Sequence, residues 1–184
     1  MVNVDVDFTY RCIDDAYHGT LLDYAKKIIS EKKFMPSKQK DAYLGDGVYF
    51  YEGSRWLAAN WVERNHGKDA VIGIICACVH YGKCLNLNIP EHRFILKKVR
   101  ERISQRREIK DRGIKITDAL VVNYYTTNIN KNIDTIRLTY ISESRGKLYE
   151  GSNIYDYAQP ILCVRNQDKI SKISLSFQGK NYHA

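Results

Sequence analysis

The sequence predicts an α+β fold in which strands dominate and a few helices cover the faces of a sheet. Three observations predict it. The 184 residues suit one domain of ordinary size, and 44% hydrophobic with 27% charged residues allow a packed core. Short β-branched or aromatic runs recur between turn residues, the pattern of strands. Fewer stretches show helical spacing with recognisable start and stop signals. No repeat, linker or low-complexity tract divides the chain, so residues 1–184 are expected to form a single domain.

Val2, Val4, Val6 and Phe8 alternate with polar residues and predict a half-buried strand. A second short strand is expected to end at His18, with Thr20 as the N-cap of a helix. Leu21, Leu22, Ala25, Ile28 and Ile29 share one face of that helix, and Phe34-Met35-Pro36 ends it. Ser37 to Tyr43 reads as a polar loop over a cleft, and Val48 to Tyr51 as a strand. Ser54 caps a helix that runs to about Asn65 and closes at Gly67. Val71 to Val79 is the most apolar run and predicts a central strand, with Cys84 to Leu87 a further strand across a Tyr81-Gly82 turn. Pro90 starts a helix expected to continue to about Arg112. Strands are expected at Ile116–Val122, Thr135–Ile141, Pro160–Arg165 and Ile173–Phe177, with a polar loop at 126–132.

No apolar run reaches the roughly 20 residues of a membrane span, and the first residues lack the basic and apolar regions of a signal peptide. Five cysteines, an odd number, argue against a disulfide scaffold and for a reducing compartment. A cytoplasmic protein without membrane partners is the expectation. The net charge of +8 points to a polyanionic partner. Cys76-x-Cys78-x-His80 and Cys84 lack a paired Cys-x-x-Cys, and the strand they occupy is apolar. No metal is expected.

Three motifs stand in order. Tyr17-His18-Gly19-Thr20 precedes a helix, Gly45-Asp46-Gly47-Val48-Tyr49-Phe50 enters an aromatic strand, and Ala59-Asn60-Trp61 lies on the next helix. Together they resemble the opening and second motifs of the ADP-ribosyltransferase superfamily, in its poly(ADP-ribose) polymerase-like and diphtheria-toxin-like branch. The resemblance is good over residues 17–61 and faint thereafter. It implies a fold of split, antiparallel-rich sheets with flanking helices and a central cleft for NAD, which is consumed as substrate.

By that resemblance His18 hydrogen-bonds the adenosine ribose, the backbone of Gly19 pairs with the carboxamide, and Thr20 adds a hydroxyl contact. Tyr49 and Trp61 sandwich the nicotinamide ring by stacking. Such a site must grip the leaving nicotinamide and stabilise an oxocarbenium-like ribose. The family places a glutamate just before a late strand. Gln159 occupies that position here, where it can hydrogen-bond a ribose hydroxyl but cannot serve as a base. That departure argues for single transfer rather than chain elongation. Glu150, a loop away, is the alternative carboxylate, and Glu143 a weaker one. Ala58 stands where many relatives carry a serine.

From Lys97 to Arg112 the chain carries eight basic and three acidic residues, most of the net charge. Arg100, Arg102, Arg106 and Arg107 are the candidates for phosphate-backbone contact. Tyr124 and Tyr125 are candidates for stacking an unpaired base, against ordinary strand packing. The expected activity is therefore mono-ADP-ribosylation of a macromolecule, with nucleic acid favoured over protein as acceptor. The small size resembles a toxin of a toxin–antitoxin or antiphage system, with an antitoxin protein as partner. Two rivals remain. RNA 2′-phosphotransferase shares the His-Gly-Thr opening but needs arginines for which only Arg11 and Arg55 are near. A catalytically dead NAD-binding module is supported by Gln159.

Overall fold

A computed structural model describes residues 12–38 and 42–182 of the chain. The strand expected at 2–8, Arg11 and residues 39–41 of the loop expected over the cleft lie outside the described residues. The elements run in the order β1 (Cys12–Leu21), α1 (Leu22–Glu31), β2 (Val48–Glu52), α2 (Arg55–His66), β3 (Ile72–His80), β4 (Cys84–Asn86), α3 (Pro90–Ser104), α4 (Arg107–Asp111), α5 (Asp118–Tyr124), β5 (Thr135–Ile141), β6 (Ala158–Val164) and β7 (Ile170–Gly179).

The strands form one seven-stranded mixed sheet in the order β4-β5-β6-β2-β1-β3-β7. All neighbouring pairs are antiparallel except β4 with β5. The split expected from the resemblance is thus not a division into two sheets. It is a local opening: β1 and β2 pair only at Ala16–Glu52 and Tyr17–Tyr51, although both strands continue beyond.

Alternation along the strands sends side chains to two differently clothed faces. Ala16, Phe50, Ile75, Ala77 and Leu162 bury against Ala25, Ile28 and Phe34 at α1. On the other face Tyr17, Ile72 and Ile74 pack on Ala58, Ala59 and Val62 of α2. On that same face Ile136, Ile161 and Cys163 pack on Val99 and Ile103 of α3 and on Val121 and Val122 of α5. Tyr51 touches both of these clusters, so β2 lies beneath the seam between α2 and the α3/α5 pair.

Four expectations are corrected. Thr20 lies in β1 opposite Gly73, and α1 starts after Leu21 with no side-chain cap. β4 is not the hairpin partner of β3; it crosses to the far edge of the sheet beside β5. The basic helix is two pieces, interrupted at Gln105 and Arg106, where Ser104 Oγ bonds back to the carbonyl of Glu101 and Arg106 turns onto Tyr124. Residues 118–124 are helical, not a strand, and a π-helical turn at Tyr125–Ile129 follows. There Thr117 Oγ1 accepts the amide of Leu120, and the apolar side chains bury against α3 and β5. The cap and the tertiary contacts outweigh the β-branched composition.

One buried ion pair ties the sheet across three strands. Arg137 on β5 reaches Glu52 on β2 with Nε at 2.7 and 3.0 Å and Nη2 at 2.7 Å, and Tyr81 donates its hydroxyl to the same carboxylate at 3.0 Å. Burial, then the Glu52 charge, pushes the Tyr81 phenol up to about 12, so it remains a donor. Removing one partner strands a buried charge. Arg137→Met is expected to lower the unfolding free energy by about 3 kcal/mol in denaturant titration, and Glu52→Leu with Arg137→Met to recover most of the loss.

The candidate site at the opening between β1 and β2

The opening starts where His18 would have continued the β1–β2 ladder. Instead its imidazole crosses the gap, and Nδ1 lies 2.9 Å from the carbonyl oxygen of Tyr49. A carbonyl only accepts, so Nδ1 carries the proton and Nε2 is left with a lone pair. The ring is braced edge-on by Phe34 at 5.3 Å and by the tilted ring of Phe50 at 5.7 Å. Burial among these rings holds the imidazole below its ordinary value of 6.5, against the opposing effect of the Tyr49 carbonyl. The result is a neutral His18 with an acceptor nitrogen, suited to a hydroxyl group.

Gly19 follows on the opposite face. A Cβ there would lie 2.0 Å from the carbonyl oxygen of Ala58, so α2 can sit on β1 only over a glycine. This explains both Gly19 and the small Ala58 facing it. Trp61 lies further along α2, 38% exposed, with its ring edge-on to His66 at 6.3 Å. No contact between Trp61 and Tyr49 is found among the described residues.

The turn before β2 is rigidly tied. Gly45 adopts φ +72°, in the left-handed region. Tyr49 donates its hydroxyl to the carbonyl of Gly45 at 2.7 Å and accepts the amide of Leu44 at 3.2 Å. Burial pushes the Tyr49 phenol far above its ordinary value. Asn123 and Asp46 exchange two hydrogen bonds, at 2.8 and 2.9 Å, and Arg165 donates to the Asp46 carbonyl at 2.9 Å. Tyr49 therefore locks its own turn as well as lining the strand. Beside this turn lies a depression of about 770 Å³ that includes Asp46, Gly47, Lys131, Asp134 and Arg165.

On the α2 face, aromatic and polar groups gather over the seam. Gln159 on β6 is buried and hydrogen-bonds the hydroxyl of Tyr157. Tyr157 meets Trp56 edge-on at 6.5 Å and carries Arg145 over its ring at 5.0 Å. Tyr140, opposite Gln159 in the β5–β6 ladder, stacks on Tyr43 with centroids 5.9 Å apart and planes 14° apart. Arg64 is near enough to draw down the Tyr43 and Tyr51 phenols, which burial raises. Sequence reasoning placed Tyr43 only as the end of a loop over a cleft, and missed Tyr140, Tyr157 and Arg64. These residues come from four separate segments, joined only by strand register and helix packing.

The other expected residues are placed as follows. Glu150 and Glu143 are exposed in the excursion between β5 and β6, and neither is brought to Gln159 by any contact among the described residues. Arg100, Arg102, Arg106 and Arg107 are exposed. Arg107 pairs with Asp111 at 3.2 Å, and Arg106 sits over the Tyr124 ring at 4.7 Å. Tyr125 is buried and cannot stack a base, and one face of Tyr124 is taken by Arg106. Arg55 lies over the Tyr17 ring at 5.4 Å.

Comparison with known proteins adds one distant relative. The chain is 28% identical to an uncharacterized protein of Methanocaldococcus jannaschii, over 85% of this chain and 84% of that protein. No protein-family model matches, and no solved structure matches. No helix among the described residues is long and apolar enough to cross a membrane.

Acid should weaken this fold through its histidines. Burial holds both His18 and His92 below 6.5, and His92 Nδ1 accepts the amide of Asn86 at 2.9 Å. Above 6.5 both states leave these rings neutral. Below it the unfolded chain takes up protons that the folded chain refuses, so stability falls. The melting temperature is expected to be level above about pH 6.5 and to drop below it, with a shallower acid limb in His92→Gln.

Proposed function

We propose that the chain is a mono-ADP-ribosyltransferase that uses NAD to modify a macromolecular acceptor, nucleic acid in preference to protein. The observation that carries the reading is the two-pair β1–β2 ladder, opened at His18 with a neutral imidazole across the gap. A lone-pair nitrogen on a braced ring suits a ribose hydroxyl of the dinucleotide. The aromatic seam beyond Tyr51 lies on the other face of the sheet from His18, so a dinucleotide that reaches it must pass through the opening; there the seam suits a planar, departing nicotinamide.

In the reaction the bond between ribose C1′ and the nicotinamide nitrogen breaks, and its electron pair leaves with the neutral nicotinamide. The acceptor atom bonds to C1′ through a lone pair, and any proton that it carries passes to water. Gln159 can hold a ribose hydroxyl but takes no proton. An acceptor that needs no strong base therefore fits best. A ring or exocyclic nitrogen of a nucleobase meets that requirement, as does a phosphate oxygen.

Two features favour nucleic acid. The stacked Tyr43–Tyr140 pair is partly exposed beside Gln159, where an unpaired base can join the stack. The basic α3 and α4 belong to the same face of the sheet as this seam. The 2′-phosphotransferase alternative would rest on Arg55, which lies over the Tyr17 ring, and on Arg11, which lies outside the described residues. A toxin role, with an antitoxin partner and a cytoplasmic site of action, follows from the resemblance alone. A dead NAD-binding module is the second reading, favoured by Gln159 at the glutamate position.

Labelled NAD incubated in lysate with wild type and with His18→Gln tests the proposal. Label is expected only with wild type and should vanish on nuclease treatment. Label lost to protease but resistant to nucleases would transfer the reading to a protein acceptor. No label and no nicotinamide release from the folded wild type, together with measurable NAD binding, would favour the dead module.

A further inference from the structure

At the outer end of β1, remote from His18, three metal-ligating side chains meet. Cys12 on β1 is the ladder partner of His80 on β3, and Cys78 lies two residues before His80 on the same strand. Cys12 Sγ and Cys78 Sγ are 2.8 Å apart, and one ligating atom from each of Cys12, Cys78 and His80 falls within 4.8 Å of the others. All five cysteines of the chain are free thiols. The carboxylate of Asp14 stands 3.9 Å from Cys12 Sγ and adds negative charge.

We propose that Cys12, Cys78 and His80 form a binding site for a thiophilic divalent cation of the zinc class. Two thiolates and one imidazole are a donor set that zinc prefers over magnesium or calcium. Tetrahedral zinc, with sulfur at about 2.3 Å and nitrogen at about 2.0 Å, holds its ligands roughly 3.3–3.8 Å from one another. The two sulfurs, 2.8 Å apart, would have to separate by about 1 Å to seat a tetrahedral zinc, a movement that side-chain rotation can supply. Cys12 and His80 are exposed and Cys78 is buried, which leaves a fourth position open to water or to Asp14.

The backbone explains how the three converge. The β1–β3 register shifts between Ile13 and Ala16, a bulge that re-aims the start of β1. Gly53 donates its amide to Asp15 in this bulge at 2.9 Å. A cation here would pin the bulged start of β1 to β3. Six residues further along β1, roughly 20 Å away, stands His18. The site is therefore distinct from the opening at His18 and holds whether or not the transferase reading does.

The test uses the full chain, reduced, stripped with chelator and then titrated with Zn(II) or Co(II) alone. One bound zinc per chain is expected, with a thiolate-to-cobalt charge-transfer band and tetrahedral d–d bands. His80→Ala, an exposed position that leaves the core intact, should weaken zinc binding by about tenfold or more. Cys78→Ser should abolish the charge-transfer band, whereas Cys76→Ser should keep it. Absence of stoichiometric metal on folded, reduced wild type would overturn the proposal. So would a cobalt band that survives in both Cys12→Ser and Cys78→Ser. An intact mass two hydrogens low that reductant restores, followed by no metal uptake, would assign the pair to a disulfide instead.

Discussion

Between β1 and β2 the sheet is held by two residue pairs and one imidazole. Every other adjoining pair in this sheet runs through a longer ladder, and here an imidazole spans the gap where the ladder stops. His18 can do so because Phe34 and Phe50 hold its ring, and because α1 covers that face. The rest of the local architecture follows. Gly19 must be bare for α2 to lie over the opposite side, and α2 in turn carries Trp56 and Arg64 to the seam over β2.

The two ends of β2 are fixed differently. At its start, the Gly45 turn is bound by the Tyr49 hydroxyl and by the Asp46–Asn123–Arg165 set, which tie it to α5 and β6. At its close, Glu52 is clamped by Arg137 and Tyr81. A strand anchored at both ends but barely paired along one edge keeps an opening without losing position. Pre-organised polar groups at such an opening are what group-transfer chemistry requires.

Local signals made much of this legible. Ser54 and Gly67 bracket α2 as their capping chemistry demands, and the apolar runs of β3 and β6 and the alternation of β5 give those strands directly. The Gly-x-Gly turn and His18 were visible as a motif. Residues 116–122 were not, because β-branched composition hid a helix fixed by Thr117 and by packing on α3. Pairings across long sequence separations left no local trace. Arg137 with Glu52, Tyr140 with Tyr43, and Cys12 with Cys78 exist only through sheet register and the contacts it permits.

The most direct measurement is the imidazole nitrogen spectrum of His18, from protein labelled with ¹⁵N-histidine, before and after NAD. The account predicts a neutral ring with the proton on Nδ1, and a shift of the Nε2 resonance as NAD saturates while Nδ1 stays protonated. An Nε2 resonance unmoved at saturating NAD, or a ring protonated on Nε2 instead, would contradict it.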